Sequence, residues 1–277
     1  MNKIILITGA TSGFGEACAR KFAAAGGYDI IITGRRKERL EALQHELEAT
    51  PAGSTSTASG TSTIPNPTAG STSNAPRVLS LVFDVQNKTA VQSAIDSIPD
   101  NWKKIDLLVN NAGLALGRDY FDEANMDDWE TMIDTNVKGL LYMSRAVLPF
   151  MIPQEKGHII NIGSIAGKEV YEKGNVYCAS KFAVDAISRS MRIDLLRHNI
   201  KVTAIHPGAA ETEFSNVRFK GDEDQAKKIY EGFTPLYAED VADTIYYAAT
   251  LPPHVCLNEI VMTCLAQGSA IYFHKKS

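Results

Sequence analysis

Basic residues are in short supply. Lys and Arg number 28 against 32 Asp and Glu, a formal net charge of −4. Nothing in that balance would neutralise a run of phosphates, so nucleic acid is excluded as the main partner. Cysteine is scarce too. Cys18, Cys178, Cys256 and Cys264 form no C-x-x-C and have no histidine-rich neighbour. That argues against a zinc site and a disulfide framework, leaving small thiols in a reducing compartment. No apolar run approaches the roughly 20 residues of a membrane span, and the opening MNKIILITGA is too short for a signal-peptide core and cleavage site. The expectation is a soluble, cytoplasmic protein with no membrane partner. Residues 49–76 lack charge altogether, holding only Ala, Thr, Pro, Gly, Ser, Asn and one Ile. Such a stretch cannot bury enough apolar surface to offset its ordering, and prolines 51, 65, 67 and 76 would keep it out of a sheet. It reads as a mobile surface insertion; without its 28 residues, 249 of the 277 remain.

What remains alternates short β-branched runs with helical periods. Strands are expected at Lys3–Thr8, Tyr28–Thr33, Arg77–Phe83, Ile105–Val109, His158–Ile162, Lys201–Ile205 and Glu259–Thr263. Helices are expected at Phe14–Ala25 and Lys37–Glu48, and around Trp129–Met151 and Val176–His198. Runs without polar alternation suit strands buried on both faces. The alternation predicts an α/β fold: a single doubly wound parallel-sheet Rossmann domain of seven strands over residues 1–277, with ligands beyond the carboxyl ends of the strands.

Directly after the first strand stands Thr8-Gly9-Ala10-Thr11-Ser12-Gly13-Phe14-Gly15. Glycines there let backbone approach a pyrophosphate, while the next helix offers free N–H groups and its positive dipole end. Gly9, Thr11, Ser12, Gly13, Phe14 and Gly15 are therefore candidate cofactor residues. The second strand ends in Gly34-Arg35-Arg36, where a NAD site would place an acidic residue for the ribose 2′-hydroxyl. A guanidinium suits a 2′-phosphate instead, so NADP(H) is the expected cofactor, with Arg35 the firmer of the two ligands.

Tyr177 and Lys181 lie four apart in a predicted helix, hence one turn apart on one face. A phenol of pKa about 10 is a poor base at neutral pH; a neighbouring cation favours the phenolate and makes proton transfer practical. Ser164 follows the fifth strand, where its hydroxyl can hold a substrate oxygen.

The G-x-x-x-G-x-G loop, Ser164 and the Tyr177-x-x-x-Lys181 pair together resemble the short-chain dehydrogenase/reductase family over essentially the whole chain outside 49–76. The resemblance implies that Asp84 and Val85 contact adenine, and that Asn111, Ala112 and Gly113, in Asn110-Asn111-Ala112-Gly113, line the adenosine ribose. It implies that Asn136 holds a water linking Lys181 to solvent, and that Pro207, Gly208 and Thr212 border the nicotinamide side. NNAGLALG (110–117), DDWETMIDTN (127–136), RAVLPFM (145–151), GHIINIGSIAG (157–167) and TEFSNVRFKGD (212–222) look like the NADP-dependent 3-hydroxy acid dehydrogenases. That subgroup acts on serine, L-allo-threonine or 3-hydroxypropionate and runs in reverse on semialdehydes. A small hydroxy acid or aldehyde is then the expected substrate, and Arg218, with a carboxylate-matching fork, its expected ligand. The loop PGAAETEF is poorer in glycine than the subgroup's, and Glu211 adds a negative charge there. Lys168 and Tyr171 border the pocket or serve as caps or solvent-facing residues. Two other readings stay open: reduction of a neutral ketone or alcohol on the same fold, and a non-catalytic NADP(H)-binding sensor. The family is usually tetrameric, and Ala270-Ile271-Tyr272-Phe273 is a candidate for burial in a neighbouring subunit.

Overall fold

The computed structural model describes residues 2–51, 53 and 75–275. Its strands are β1 (Lys3–Ile7), β2 (Tyr28–Gly34), β3 (Val78–Val82), β4 (Ile105–Asn110), β5 (Gly157–Ile162), β6 (Ile200–Pro207) and β7 (Glu259–Met262). They form one parallel sheet in the order β3-β2-β1-β4-β5-β6-β7. The chain winds outward from β1 through β2 to β3, then returns to β4 on the other side. The switch between β1 and β4 opens a crevice at the carboxyl edge.

The β1 side chains show why the sheet needs two covering layers. Ile5 and Ile7 face one layer with Phe22, Leu40 and Ile245, contributed by helices α1 (Gly13–Ala25), α2 (Lys37–Glu48) and α9 (Ala238–Thr250). Ile4 and Leu6 face the other, with Val91, Ile95, Met143, Val147 and Leu195, from α3 (Lys88–Asp96), α5 (Leu140–Met151) and α6 (Asn175–Leu195). A strand covered on both faces has no polar positions to alternate. The remaining helices are α4 (Met126–Ile133), α7 (Glu213–Arg218) and α8 (Glu223–Lys228). Positions 52 and 54–74 of the expected insertion lie outside the described residues.

The helix expected around Trp129–Met151 is not uniformly α. Between α4 and α5, Asp134–Gly139 form a π-helical turn. Gly139 ends it close against Val85: a Cβ there would sit 2.9 Å from Val85 Cγ2. Asn136, in that turn, is buried and points inward. The four cysteines are free; Cys18, Cys178 and Cys264 are buried.

One buried histidine makes stability depend on pH. His158 Nε2 lies 2.8 Å from Thr203 Oγ1, and that hydroxyl already donates to the Leu257 carbonyl. The imidazole must therefore donate through Nε2, which leaves Nδ1 without a partner. Burial pulls its pKa down from 6.5 to about 3, with Lys201 adding to the effect. Below pH 6.5 the unfolded chain takes up a proton that the folded chain refuses, so stability falls as pH drops from 6.5 towards 3. The loss from this residue is about 2 kcal/mol between pH 7 and 5. Urea unfolding at both pH values is expected to register it. His158→Gln, which keeps the donor to Thr203, should flatten the slope; an unchanged slope would count against the neutral buried imidazole.

Candidate active site

The loop leaving β1 needs glycine at position 9. Gly9 has φ +65°, and a Cβ there would lie 2.9 Å from Ala112 Cα. Asn111 ties the end of β4 to this loop, its Nδ2 donating to the Thr8 and Gly9 carbonyls at 2.9 and 3.1 Å. Gly15 packs beneath the loop, where a Cβ would meet the Gly9 carbonyl. Ser12 is the N-cap of α1, yet its side chain caps no N–H there. The first amides of the helix are thus left to an external anion.

Gly34 closes β2 directly under this loop; a Cβ there would fall 2.8 Å from Thr11 Cγ2. An acidic side chain for a ribose hydroxyl is absent there, and any side chain would have to displace that of Thr11. The two arginines beyond it diverge. Arg35 is well exposed and pairs with Asp84 at 3.3 Å. Arg36 donates to the hydroxyls of Thr11 and Ser12, both at 2.9 Å from Nη2, and to Glu213 at 3.0 Å. Arg36, not Arg35, is thus fixed against the phosphate loop. Arg39, which sequence reasoning passed over, meets the other oxygen of Glu213 at 2.6 Å.

A single crevice joins these groups to the acid/base pair. Its wall includes Gly9, Thr11–Phe14, Gly34–Arg36, Phe83–Val85, Asn111–Leu114, Thr135, Tyr177, Lys181 and Thr212–Phe214. Gly15, Asn136, Ser164 and Arg218 stand behind or beside that wall. Pro207 and Gly208 lie outside it, where a Cβ on Gly208 would strike Gln267. Thr212 instead caps α7, accepting from the Phe214 amide at 3.2 Å. Phe214, also missed from sequence, packs its ring 5.6 Å from that of Tyr177. Its one signal was an apolar side chain in a short, mostly polar helix.

Tyr177 and Lys181 project from the same face of α6, both buried. Lys181 Nζ lies 5.9 Å from the Tyr177 ring centre and donates to the Ile162 carbonyl at 3.0 Å. Burial lowers its pKa from 10.5 to about 8. Burial pushes the Tyr177 phenol up, and Tyr171 adds to this; a hydrogen bond with Ser164 and the charge of Arg218 pull the other way. The lowering expected from Lys181 does not appear: its ammonium lies 5.9 Å from the ring centre, and burial sets the direction. Ser164 Oγ is oriented by the Ala166 amide at 3.1 Å. Asn136 clamps Leu114 from both sides, accepting from its N–H and donating to its carbonyl at 2.8 Å each, and donates to Ser180. Its carboxamide fixes the wall beside Lys181: a Cβ on Gly113 would touch both Asn136 Oδ1 and Lys181 Nζ.

Arg218 ends α7 over the tyrosines. Its guanidinium carbon lies 5.5 Å from the Tyr177 ring centre and 5.6 Å from that of Tyr171. Its Nε is buried without an acceptor among the described residues. Tyr171 therefore borders this end. Lys168 does not; it turns away to Asp185 and Glu259, at 2.9 and 2.5 Å. Glu211 is exposed and forms no part of the crevice wall.

The family model described as short chain dehydrogenase matches residues 3–66 and 63–223. The chain belongs to the short-chain dehydrogenase family. This short-chain dehydrogenase is 46% identical over 268 residues to the NADP-dependent 3-hydroxy acid dehydrogenase YdfG of Salmonella typhi, covering 96% of this chain and 97% of that protein. It is 44% identical over 261 residues to sulfoacetaldehyde reductase 2 of Chromohalobacter salexigens, covering 94% and 93%. Among solved structures it resembles the closed form of a serine dehydrogenase complexed with NADP+, with a TM-score of 0.83 and 44% identity over 99% of this chain and 100% of that one.

Proposed function

We propose that this short-chain dehydrogenase interconverts small 3-hydroxy acids and their semialdehydes with NADP(H). The observation that carries the reading is the placement of Arg218: a cation with an unused buried N–H stands over the ring of Tyr177. A substrate carboxylate held there lies within a small molecule's length of the acid/base pair. An anion would also supply the acceptor that Arg218 Nε lacks.

The residues present fit NADP(H). Gly9 to Phe14 and the first amides of α1 suit a pyrophosphate, and Arg36 and Arg35 suit a 2′-phosphate where Gly34 supplies no carboxylate. Asp84, Val85, Asn111, Ala112 and Gly113 would border the adenosine, with Thr212 at the nicotinamide end. NADP(H), when bound, supplies or accepts the hydride. In our reading Ser164 holds the substrate oxygen, and Tyr177 gives that oxygen a proton in reduction or removes it in oxidation. Lys181, beside Asn136 and Gly113, carries the proton onward. Phe214 and Val217 shield the reacting end from water.

The test follows NADPH oxidation with malonic semialdehyde beside a neutral aldehyde of equal length. Preference for the acid is expected, and Arg218→Leu should raise KM for it about 10- to 100-fold, as for loss of a charge-assisted contact, while sparing the neutral substrate. Equal turnover of both by the native protein would favour a neutral ketone or alcohol as substrate. No turnover with bound NADPH would favour a sensor.

We infer a homotetramer of cytoplasmic location. Leu265, Ile271 and Tyr272 are well exposed near the C-terminus, which suits a neighbouring subunit; only monomer in sedimentation at micromolar concentration would reject it. Among the described residues no helix is long and apolar enough to cross a membrane.

A further inference from the structure

We propose that His206 is a positioning residue for Ser164, holding the backbone that carries the serine hydroxyl. The inference rests on the reading of Ser164 as the ligand of the substrate oxygen.

His206 is wholly buried in β6. Its Nδ1 lies 3.3 Å from the Ser164 carbonyl oxygen. A carbonyl only accepts, so Nδ1 carries the proton. The ring also lies against the preceding residue: a Cβ on Gly163 would come within 2.4 Å of Nδ1 and 2.7 Å of Cε1. The Gly163 amide meanwhile donates to the Ile205 carbonyl at 2.7 Å. Residues 163 and 164 therefore take their position from one imidazole and the strand beneath it.

A second anchor holds the other end of the same turn. Lys168, four residues beyond Ser164, reaches Asp185 of α6 and Glu259 of β7. Arg189 reaches the same two carboxylates at 3.0 and 3.4 Å. Asp185, His206 and Glu259 offer donors close enough together for a metal ion, but the Lys168 ammonium lies against both carboxylates. Four charged groups face or border His206. Asp185 Oδ1 lies 3.6 Å from Nε2; Asp185 and Glu259 favour the charged ring, whereas burial and Lys168 disfavour it more strongly. Arg189 is turned toward the carboxylates. Lys168 thus supplies the positive charge that Asp185 would otherwise draw from the ring. The imidazole stays neutral, with its one proton directed at Ser164.

A displaced oxygen ligand slows the chemical step without loosening the cofactor, and misplacement of about 1 Å can cost on the order of 100-fold. His206→Leu is expected to lower kcat about 10- to 100-fold, with NADPH affinity changed less than about twofold. His206→Asn, whose Nδ2–H can stand where Nδ1–H stood, should recover most of the rate. Should the leucine variant not fold, His206→Gln, with its amide one carbon further out, takes its place with the same expected loss. The decisive readout is a cycle with Ser164→Ala. A positioning role predicts that His206→Leu adds almost nothing once the hydroxyl is gone, whereas general damage would add its full effect. An equal loss in both backgrounds, or asparagine no better than leucine, overturns the proposal. If Ser164→Ala alone keeps full turnover, the reading of Ser164 fails first, and that result is distinct from either.

Discussion

Tyr177→Phe is expected to reduce turnover by at least about 10³-fold while leaving NADPH binding within about twofold. The phenol is asked to do two things at one atom: transfer the proton, worth about 10²- to 10⁴-fold, and hold the oxygen on which charge develops. Phenylalanine keeps the ring that packs against Phe214 and under Arg218, so the wall of the crevice is preserved and only the hydroxyl is lost. The direction of the pKa shift adds a second expectation. Burial pushes the phenol above its ordinary value, and the Ser164 hydrogen bond and Arg218 offset this only in part. A protonated Tyr177 is a ready acid, so reduction should be flat through neutral pH. Oxidation needs the phenolate and should climb with pH. Stopped-flow rates in both directions, with coenzyme binding followed by fluorescence, read all of this. Turnover surviving in the phenylalanine variant would remove Tyr177 from its assigned place.

Much of this was legible because the relevant signals are local. Six of the seven strand runs bury at least some of the β-branched side chains that mark them, the edge strand β7 being the exception, and the glycine loop, Ser164 and the Tyr177–Lys181 spacing each occupy a few consecutive positions. The features that escaped depend on segments far apart in the chain. The π-helical turn at Asp134–Gly139 packs its last residue against Val85, which follows β3. Lys168 could be assigned to the pocket or to solvent from sequence because its partners, Asp185 and Glu259, arrive on α6 and β7. Phe214 and Glu213 come from α7, which crosses back over the crevice to meet Tyr177 and Arg36. Arg35 and Arg36 were adjacent and chemically identical; only the fold tells which one lies against Thr11 and Ser12.

That distinction sets the second large effect. Arg36→Gln is expected to weaken NADP(H) binding about 10- to 100-fold, the range for losing charge-assisted hydrogen bonds to a phosphate, and to leave NAD(H) binding nearly unchanged. Arg35→Gln should do less, since Arg35 is more exposed and, unlike Arg36, is not held against Thr11 and Ser12 of the phosphate loop. Glu213 gives the test its opposite sign. Its carboxylate holds both Arg36 and Arg39, at 3.0 and 2.6 Å, and so competes with a 2′-phosphate for the same donors while repelling it. These pairs are exposed, and exposed pairs contribute about 0–1 kcal/mol. Glu213→Gln should therefore tighten NADP(H) only about two- to fivefold, again without affecting NAD(H). Because screening weakens exposed charges, raising the salt should shrink both effects. The ratio of the two coenzyme affinities decides the matter. If Arg36→Gln weakens both coenzymes equally, then Arg36 braces the phosphate loop through Thr11 and Ser12 and does not read the 2′-phosphate.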